Sequence, residues 1–254
     1  DEAQARCSPI ALRLLRGPPG GRVCLHLGPA CPCSLTMEVA PERISARLLR
    51  TVDHPERADE VVDLMTEGFM ENPFWLWAFG EDEAFRKKAL AFVNRARVQL
   101  YGARSEFWLD SAGRVEGHVV MSAESGMSPS FMTLVRAGFL SMPFRFGLRV
   151  FRRFNSLVDE MKAQQAEVLG SEPDYWTLEA FVVRADCRGK GIGSRVLKEL
   201  LEERVPPGKR IILMTQEEAN VNLYCRHDFE IISEAVSCEN SAKNWIMERK
   251  ARLS

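Results

Sequence analysis

From about residue 44 onward, apolar positions recur with two alternating periods. Ile44 to Val52 reads as a first strand, and Asp53-His54-Pro55 opens a helix running to about Met70. Val61, Val62, Leu64, Met65 and Phe69 form the buried face of that helix. Glu71-Asn72-Pro73 breaks it, and the aromatic run Phe74-Trp75-Leu76-Trp77-Ala78-Phe79 follows. A second helix covers roughly Glu83 to Gly102. Phe107 to Asp110 and Val115 to Ser122 then read as a hairpin around Ser111-Ala112-Gly113. Residues 123–175 interrupt the strands with helical periodicity, divided at Met142-Pro143 and ending near Gly170.

The strands return with Leu178 to Arg184, an apolar run suited to a strand buried on both faces. Ser194 to Val205 carries Val196, Leu197, Leu200 and Leu201 at helical spacing, and Pro206-Pro207-Gly208 stops it. Arg210 to Thr215 is a strand, Asn220 to His227 a short helix, and Phe229 to Glu234 and Trp245 to Arg249 two final strands. The sum is a mixed α/β domain with a single crossover, interrupted by a helical insert before its central strand.

Residues 1–36 break this rhythm. They are rich in Arg, Pro, Gly and Cys without a sustained period, and Arg13 and Arg16 interrupt the one apolar stretch a signal peptide would need. We read 1–36 as a disordered extension and 37–254 as the folded domain, so removing 1–36 is expected to leave its stability intact.

Bulk properties exclude more than they assign. With 34 basic and 35 acidic side chains in 254 residues, no global field argues for nucleic acid or membrane as partner. No apolar run reaches transmembrane length. Of the seven cysteines, four lie in the first 33 residues; Cys187, Cys225 and Cys238 stand alone, which suits a reducing, cytoplasmic setting. The four histidines do not cluster, so no metal is expected. Arg136, Arg145, Arg149, Arg152 and Arg153 interleave with phenylalanines in the insert. That reads as a covering helix with a solvated basic face in preference to a membrane-surface helix.

The candidate chemistry centres on Arg188-Gly189-Lys190-Gly191-Ile192-Gly193, between the central strand and its helix. A helix N-terminus offers unpaired N–H groups and the positive end of the dipole, and glycines let that backbone approach a bulky anion. The Walker A spacing is absent. A dinucleotide fingerprint would need glycine where Ser194 stands, and further βαβ units downstream. Arg/Gln-x-x-Gly-x-Gly/Ala is matched in full by Arg188, Gly191 and Gly193; an ordinary Gly-rich βα turn is the plain alternative.

That motif resembles the pyrophosphate-binding signature of the GNAT superfamily of acyl-CoA-dependent N-acyltransferases. The resemblance covers about 44–250 and is strongest to the puromycin N-acetyltransferase-like branch. It is carried by Glu67 to Pro73 with Trp77 and Phe79-Gly80, Tyr175-Trp176-Thr177-Leu178, Arg188 to Gly193, Asn220 to Tyr224 with Phe229, and Trp245-Ile246-Met247. One departure is His227-Asp228-Phe229, where family members usually have glycine before the phenylalanine. Aspartate tolerates the left-handed backbone that such a turn needs.

The resemblance implies a GNAT-like, mostly antiparallel central sheet flanked by helices, and acetyl-CoA as donor. Its pyrophosphate would sit on Arg188, Gly189, Lys190, Gly191, Ile192 and Gly193, with pantetheine beside Phe181, Val182 and Val183 and near Asn220. Tyr224 matches the position whose hydroxyl protonates the departing sulfur; a core tyrosine is the alternative. Backbone N–H near Val182 or Val183 would hold the oxyanion. Glu179, alternating with Phe181 and Val183, suits a general base or, equally, a strand carboxylate paired with arginine. The acceptor is expected to be a small-molecule amine held by Trp75 and Phe131. A protein amine, a non-catalytic acyl-CoA-binding module and a nucleotide-binding module are the competing readings.

Overall fold

A computed structural model describes residues 23–24, 36–37, 44, 47–123, 131–170, 175–237 and 242–251. By its internal contacts the chain divides into 1–42 and 43–254. In the first unit, Val23–Cys24 (β1) pairs antiparallel with Thr36–Met37 (β2); the rest of the 1–36 expectation lies outside the described residues.

The second unit is built on seven strands: Leu49–Arg50 (β3), Ser105–Leu109 (β4), Val115–Ser122 (β5), Tyr175–Val183 (β6), Arg210–Thr215 (β7), Glu230–Val236 (β8) and Lys243–Arg249 (β9). Their order is β3-β4-β5-β6-β7-β9-β8, and every pairing is antiparallel except β6 with β7. The parallel pair is joined through the helix Ile192–Glu203 (α7), the crossover that parallel strands need. The first strand is shorter than its apolar pattern predicts, because Thr51–Asp53 already turns as a 3-10 segment.

Helices cover both faces. Ala58–Phe69 (α1) and Glu83–Tyr101 (α3) lie over the β4–β6 half of one face, and the end of Leu148–Leu169 (α6) over β7 and β9. On the other face α7 places Val196, Leu197, Leu200 and Leu201 against Trp108, Val119, Leu178 and Ile211, with the short Glu218–Cys225 helix (α8) beside it. The aromatic run forms Pro73–Phe79 (α2), started by Asn72 Oδ1 accepting from Phe74 N at 3.0 Å with proline in the first turn. The insert contributes Phe131–Arg136 (α4) and Met142–Phe146 (α5) before α6. Pro143 starts α5 instead of dividing two long helices, and Gly147, at φ 88°, makes the break.

Two close approaches hold the sheet in shape. Trp108 is 1% exposed and lies over Gly117, its cross-strand partner, where even a methyl group would overlap the indole. Gly117→Ala is therefore expected to cost about 1–3 kcal/mol by overpacking, read as a lower urea midpoint; an unchanged midpoint would show that the indole moves freely. Buried His118 shares a 2.9 Å hydrogen bond from Nε2 with Ser105 Oγ, which in turn meets Thr51 Oγ1 at 2.9 Å. Burial lowers the His118 pKa to about 3, keeping it neutral as a strut between β5, β4 and the turn after β3.

Candidate active site

The site begins where two parallel strands part. β6 pairs with β7 from Tyr175↔Arg210 only to Leu178↔Leu213, yet continues through Val183 along β5. From Glu179 on, the β7 edge of β6 has no ladder partner among the described residues. A bulge marks the parting: Val120 faces Ala180 and Met121 faces Leu178, leaving Glu179 as the extra residue. Its stranded carbonyl accepts from Arg97 Nη2 at 3.5 Å.

The bulge decides which groups face the opening. Arg184 N donates to Glu116 O, so Val182 and Ala180, two and four residues back, also turn their N–H groups toward β5. The N–H groups of Phe181 and Val183 turn toward the free edge. Val182 therefore does not supply an oxyanion N–H there; its side chain packs toward α1 with Val61 and Val62. Phe181 and Val183 pack on the α7 side.

The added residue also moves Glu179. Alternation alone places it with Phe181 and Val183, but its side chain lies on the opposite face, toward α3. Thr177 Oγ1 donates to Glu179 Oε1 at 3.4 Å, and Arg104 Nη1 stands 3.7 Å from the same oxygen. The carboxylate is 17% exposed. Burial raises its pKa, against the opposing pull of Arg104, Arg97 and the Thr177 hydroxyl. It is thus both the strand carboxylate near arginines and a carboxylate of raised basicity. Arg97 donates to the Tyr101 hydroxyl at 3.0 Å and lies over the Phe69 ring, which fixes the cation beside the bulge. Arg97, Arg104 and Tyr101 have no local sign in the sequence, since they reach Glu179 from α3 and the 3-10 turn that follows it. The i,i+4 spacing of Arg97 and Tyr101 on a buried α3 face is the one available hint.

At the end of β6 the chain enters the glycine loop. Arg184 ties its start to the β4–β5 hairpin, donating to Val115 O and Asp110 Oδ2, each at 2.8 Å. Arg188 Nε donates to Val183 O at 3.0 Å, anchoring the guanidinium while its terminal nitrogens extend from that contact. Gly189 and Gly191 have φ 74° and 75°, and a methyl group built on either meets nothing within 4 Å. Gly191 caps α7, whose first turn begins at Ile192. Gly193 serves packing instead: a Cβ there would lie 3.3 Å from Val183 Cγ2. The exposed Lys190 and the Arg188 guanidinium add positive charge to the helix terminus. Open glycines, amides at a helix start and a free strand edge fit a pyrophosphate-bearing, pantetheine-like chain.

Across the opening, Asn220 Nδ2 approaches Thr215 Oγ1 at 3.4 Å, at the end of β7. Tyr224 is 7% exposed, packs on Phe229 with ring centroids 5.6 Å apart, and shares the α7-side core with Phe181 and Val183. Burial first, then the nearby Glu217 carboxylate, raises its phenol pKa, so the hydroxyl keeps its proton. Asp228 takes the left-handed conformation at φ 65°, so the turn expected of the missing glycine is made. His227 is half-buried and meets Ser194 Oγ at 2.7 Å, joining α8 to α7.

The two acceptor residues stand differently. Trp75 stacks between Phe79 and Phe154 at 5.6 and 6.0 Å, inside a satellite core shared by α2, α3, α5 and α6. Its ring is therefore part of that core. Phe131 begins α4, and its side chain lies outside the described residues. A cavity of about 340 Å³ lined by Arg104, Ser122 and Trp176 adjoins the Glu179 cluster at the start of β6, away from the glycine loop.

Known proteins share this fold. A family model described as an acetyltransferase (GNAT) domain matches residues 157–231, from within α6 to the start of β8. No curated protein matches the chain. Among solved structures, histone acetyltransferase HPA2 and related acetyltransferase from Corynebacterium glutamicum aligns with a TM-score of 0.55 at 14% identity, over 82% of this chain and 97% of that one. An insect protein designated arylalkylamine N-acetyltransferase 7, from the yellow fever mosquito, aligns at 0.50 and 13% identity, over 77% and 84%. These likenesses are of fold and do not single out the puromycin N-acetyltransferase-like branch. The domain match spans the parted strands and the glycine loop, so residues 157–231 match a GNAT acetyltransferase domain, and the seven-stranded sheet around them has the fold of acetyltransferases of known structure.

Proposed function

We propose that the protein transfers an acetyl group from acetyl-CoA to the primary amine of a small molecule. The observation that carries this reading is the free β6 edge from Glu179 to Val183, leading without interruption into the Arg188–Gly193 loop. One run of chain thereby offers strand-edge groups for pantetheine and amides for pyrophosphate.

The chemistry needs three services. An ammonium with a pKa near ~10 must lose its proton, and Glu179 has the raised basicity to draw it off through water. The Val183 N–H, on the open edge, would receive the charge that develops on the thioester carbonyl oxygen. Tyr224, held protonated by its surroundings, would return a proton to the departing sulfur. No metal enters this scheme, and the bond from sulfur to the acyl carbon is exchanged for one from nitrogen.

The pH dependence follows from the sign of the Glu179 shift. A base must be ionised to act, so kcat/KM should rise with pH through a limb displaced above the ordinary carboxylate range. Glu179→Gln should remove that limb and lower the plateau about a hundredfold or more. An identical acid limb in the variant would assign Glu179 to structure alone.

Support for a small amine comes from the aromatic content of α2 and the insert, since variable segments on rigid scaffolds often set specificity. The fold likeness to a protein designated arylalkylamine N-acetyltransferase is in keeping with an amine on an apolar body. A protein amine is the second reading, favoured by the likeness to the histone acetyltransferase structure. A screen of coenzyme A release over arylalkylamines, polyamines and short peptides decides between them. Turnover of peptides alone would overturn the small-molecule proposal, and acetyl-CoA binding without turnover of any amine would leave a binding module.

A further inference from the structure

Four large apolar side chains of the insert face solvent at a spacing that is not random. Met132, Leu140, Phe144 and Leu148 are 56, 50, 91 and 63% exposed and stand at multiples of four residues. Met142, Phe146, Val150 and Phe154, on the same step but two residues out of phase, face inward onto α2 and α3. The short turn Phe139–Ser141 packs on both α4 and α5, and α5 packs on α6, so the outward residues lie on neighbouring elements of the insert. The inner face alone accounts for the fold, which leaves the outer ridge unexplained by packing. Isolated exposed apolar residues are ordinary, but several on neighbouring elements, with Phe144 91% exposed, suit an interaction surface.

Its charge setting is one-sided. Between Glu124 and Asp159 the sequence has five arginines and no acidic residue, within a chain whose net charge is −1. Arg136, Arg145, Arg149 and Arg152 are exposed. Arg145 and Arg153 lie over the Phe92 and Trp77 rings, while Arg136, Arg149 and Arg152 have no acidic partner among the described residues. A second copy docking by two-fold symmetry would set this positive field against itself. The surface must also be met by an apolar medium that receives the outward-projecting Phe144 ring and its neighbours. An anionic bilayer surface meets both requirements: acyl chains admit the ring and its neighbours, and lipid phosphates and carboxylates face the arginines.

We propose that the outer ridge of α4, α5 and the start of α6 docks the enzyme peripherally on anionic membrane surfaces. This revises the reading of the insert as a plain solvated cover. No helix among the described residues is long and apolar enough to cross a membrane, so the attachment is interfacial and reversible.

The test is sedimentation of the full chain with vesicles of phosphatidylcholine alone or with about one-third phosphatidylserine. Binding to the anionic vesicles, weakened by salt, is expected. Phe144→Ser should weaken it about tenfold or more, and Arg149→Glu with Arg152→Glu at least as much. Both variants change exposed residues, and unchanged circular dichroism verifies their folding. No binding to anionic vesicles, or equal binding to neutral ones, overturns the proposal. Loss on arginine reversal with Phe144→Ser unaffected would point to an acidic polypeptide and also overturns it. So would a dimer in the ultracentrifuge that Phe144→Ser dissociates.

Discussion

Gly191→Glu is expected to abolish acetyl-CoA binding while the domain stays folded. Gly191 sits at φ 75°, so any side chain there carries about 1–2 kcal/mol of backbone strain. That is tolerable in a domain with this much buried core. A Cβ at Gly191 meets nothing within 4 Å, so the new side chain projects away from the protein's own packing. The same open space is where the amides of the first turn of α7 would receive pyrophosphate. A carboxylate there adds bulk, like charge and its own desolvation, together several kcal/mol, or roughly a thousandfold in affinity. The contrast with Gly193 makes the test clean, since a Cβ at that position presses on Val183 and would confuse packing with binding. Calorimetry showing unchanged affinity for acetyl-CoA, with unchanged circular dichroism, would remove the cradle assignment.

Tyr224→Phe should lower kcat by about ten- to a thousandfold and leave acetyl-CoA affinity nearly unchanged. The ring is buried against Phe229 and the α7-side core, and phenylalanine preserves all of that packing. No hydrogen bond of the hydroxyl is made among the described residues, so its removal strands no partner. What the variant loses is a proton held on oxygen well past neutral pH, because burial and Glu217 both disfavour the phenolate. A thiolate departing from the opened strand edge would then have to take its proton from solvent. Single-turnover rates isolate the chemical step, and an unchanged rate there would make Tyr224 a core residue only.

The sequence determined the elements and the loop. Periodicity located α1, α3, α7 and β7 within a few residues because each has a one-sided apolar pattern with a cap or breaker at its end, such as Asn72-Pro73 before α2 and Pro206-Pro207-Gly208 after α7. The Arg188–Gly193 turn into α7 was legible because its positive-φ glycines depend on local backbone freedom, which is written in consecutive residues. The left-handed turn at Asp228 was legible for the same reason.

Tertiary structure decided what depends on pairing between distant strands. The extra residue at Glu179 is invisible to a period of two; only pairing with Val120 and Met121 reveals it, and it turns the carboxylate to the α3 face. The same ladder parity takes the Val182 N–H away from the opening and leaves that of Val183. Arg97 and Arg104 enter the Glu179 cluster from α3 and the turn just after it, some eighty residues earlier, by packing that no local pattern encodes. The insert divides likewise: its arginines and phenylalanines are plain in the sequence, but which phenylalanine is buried depends on helix phase. Phase at the breaks of Gly138 and Gly147 is set by what α5 and α6 find to pack against, leaving Phe146 inside and Phe144 in solvent.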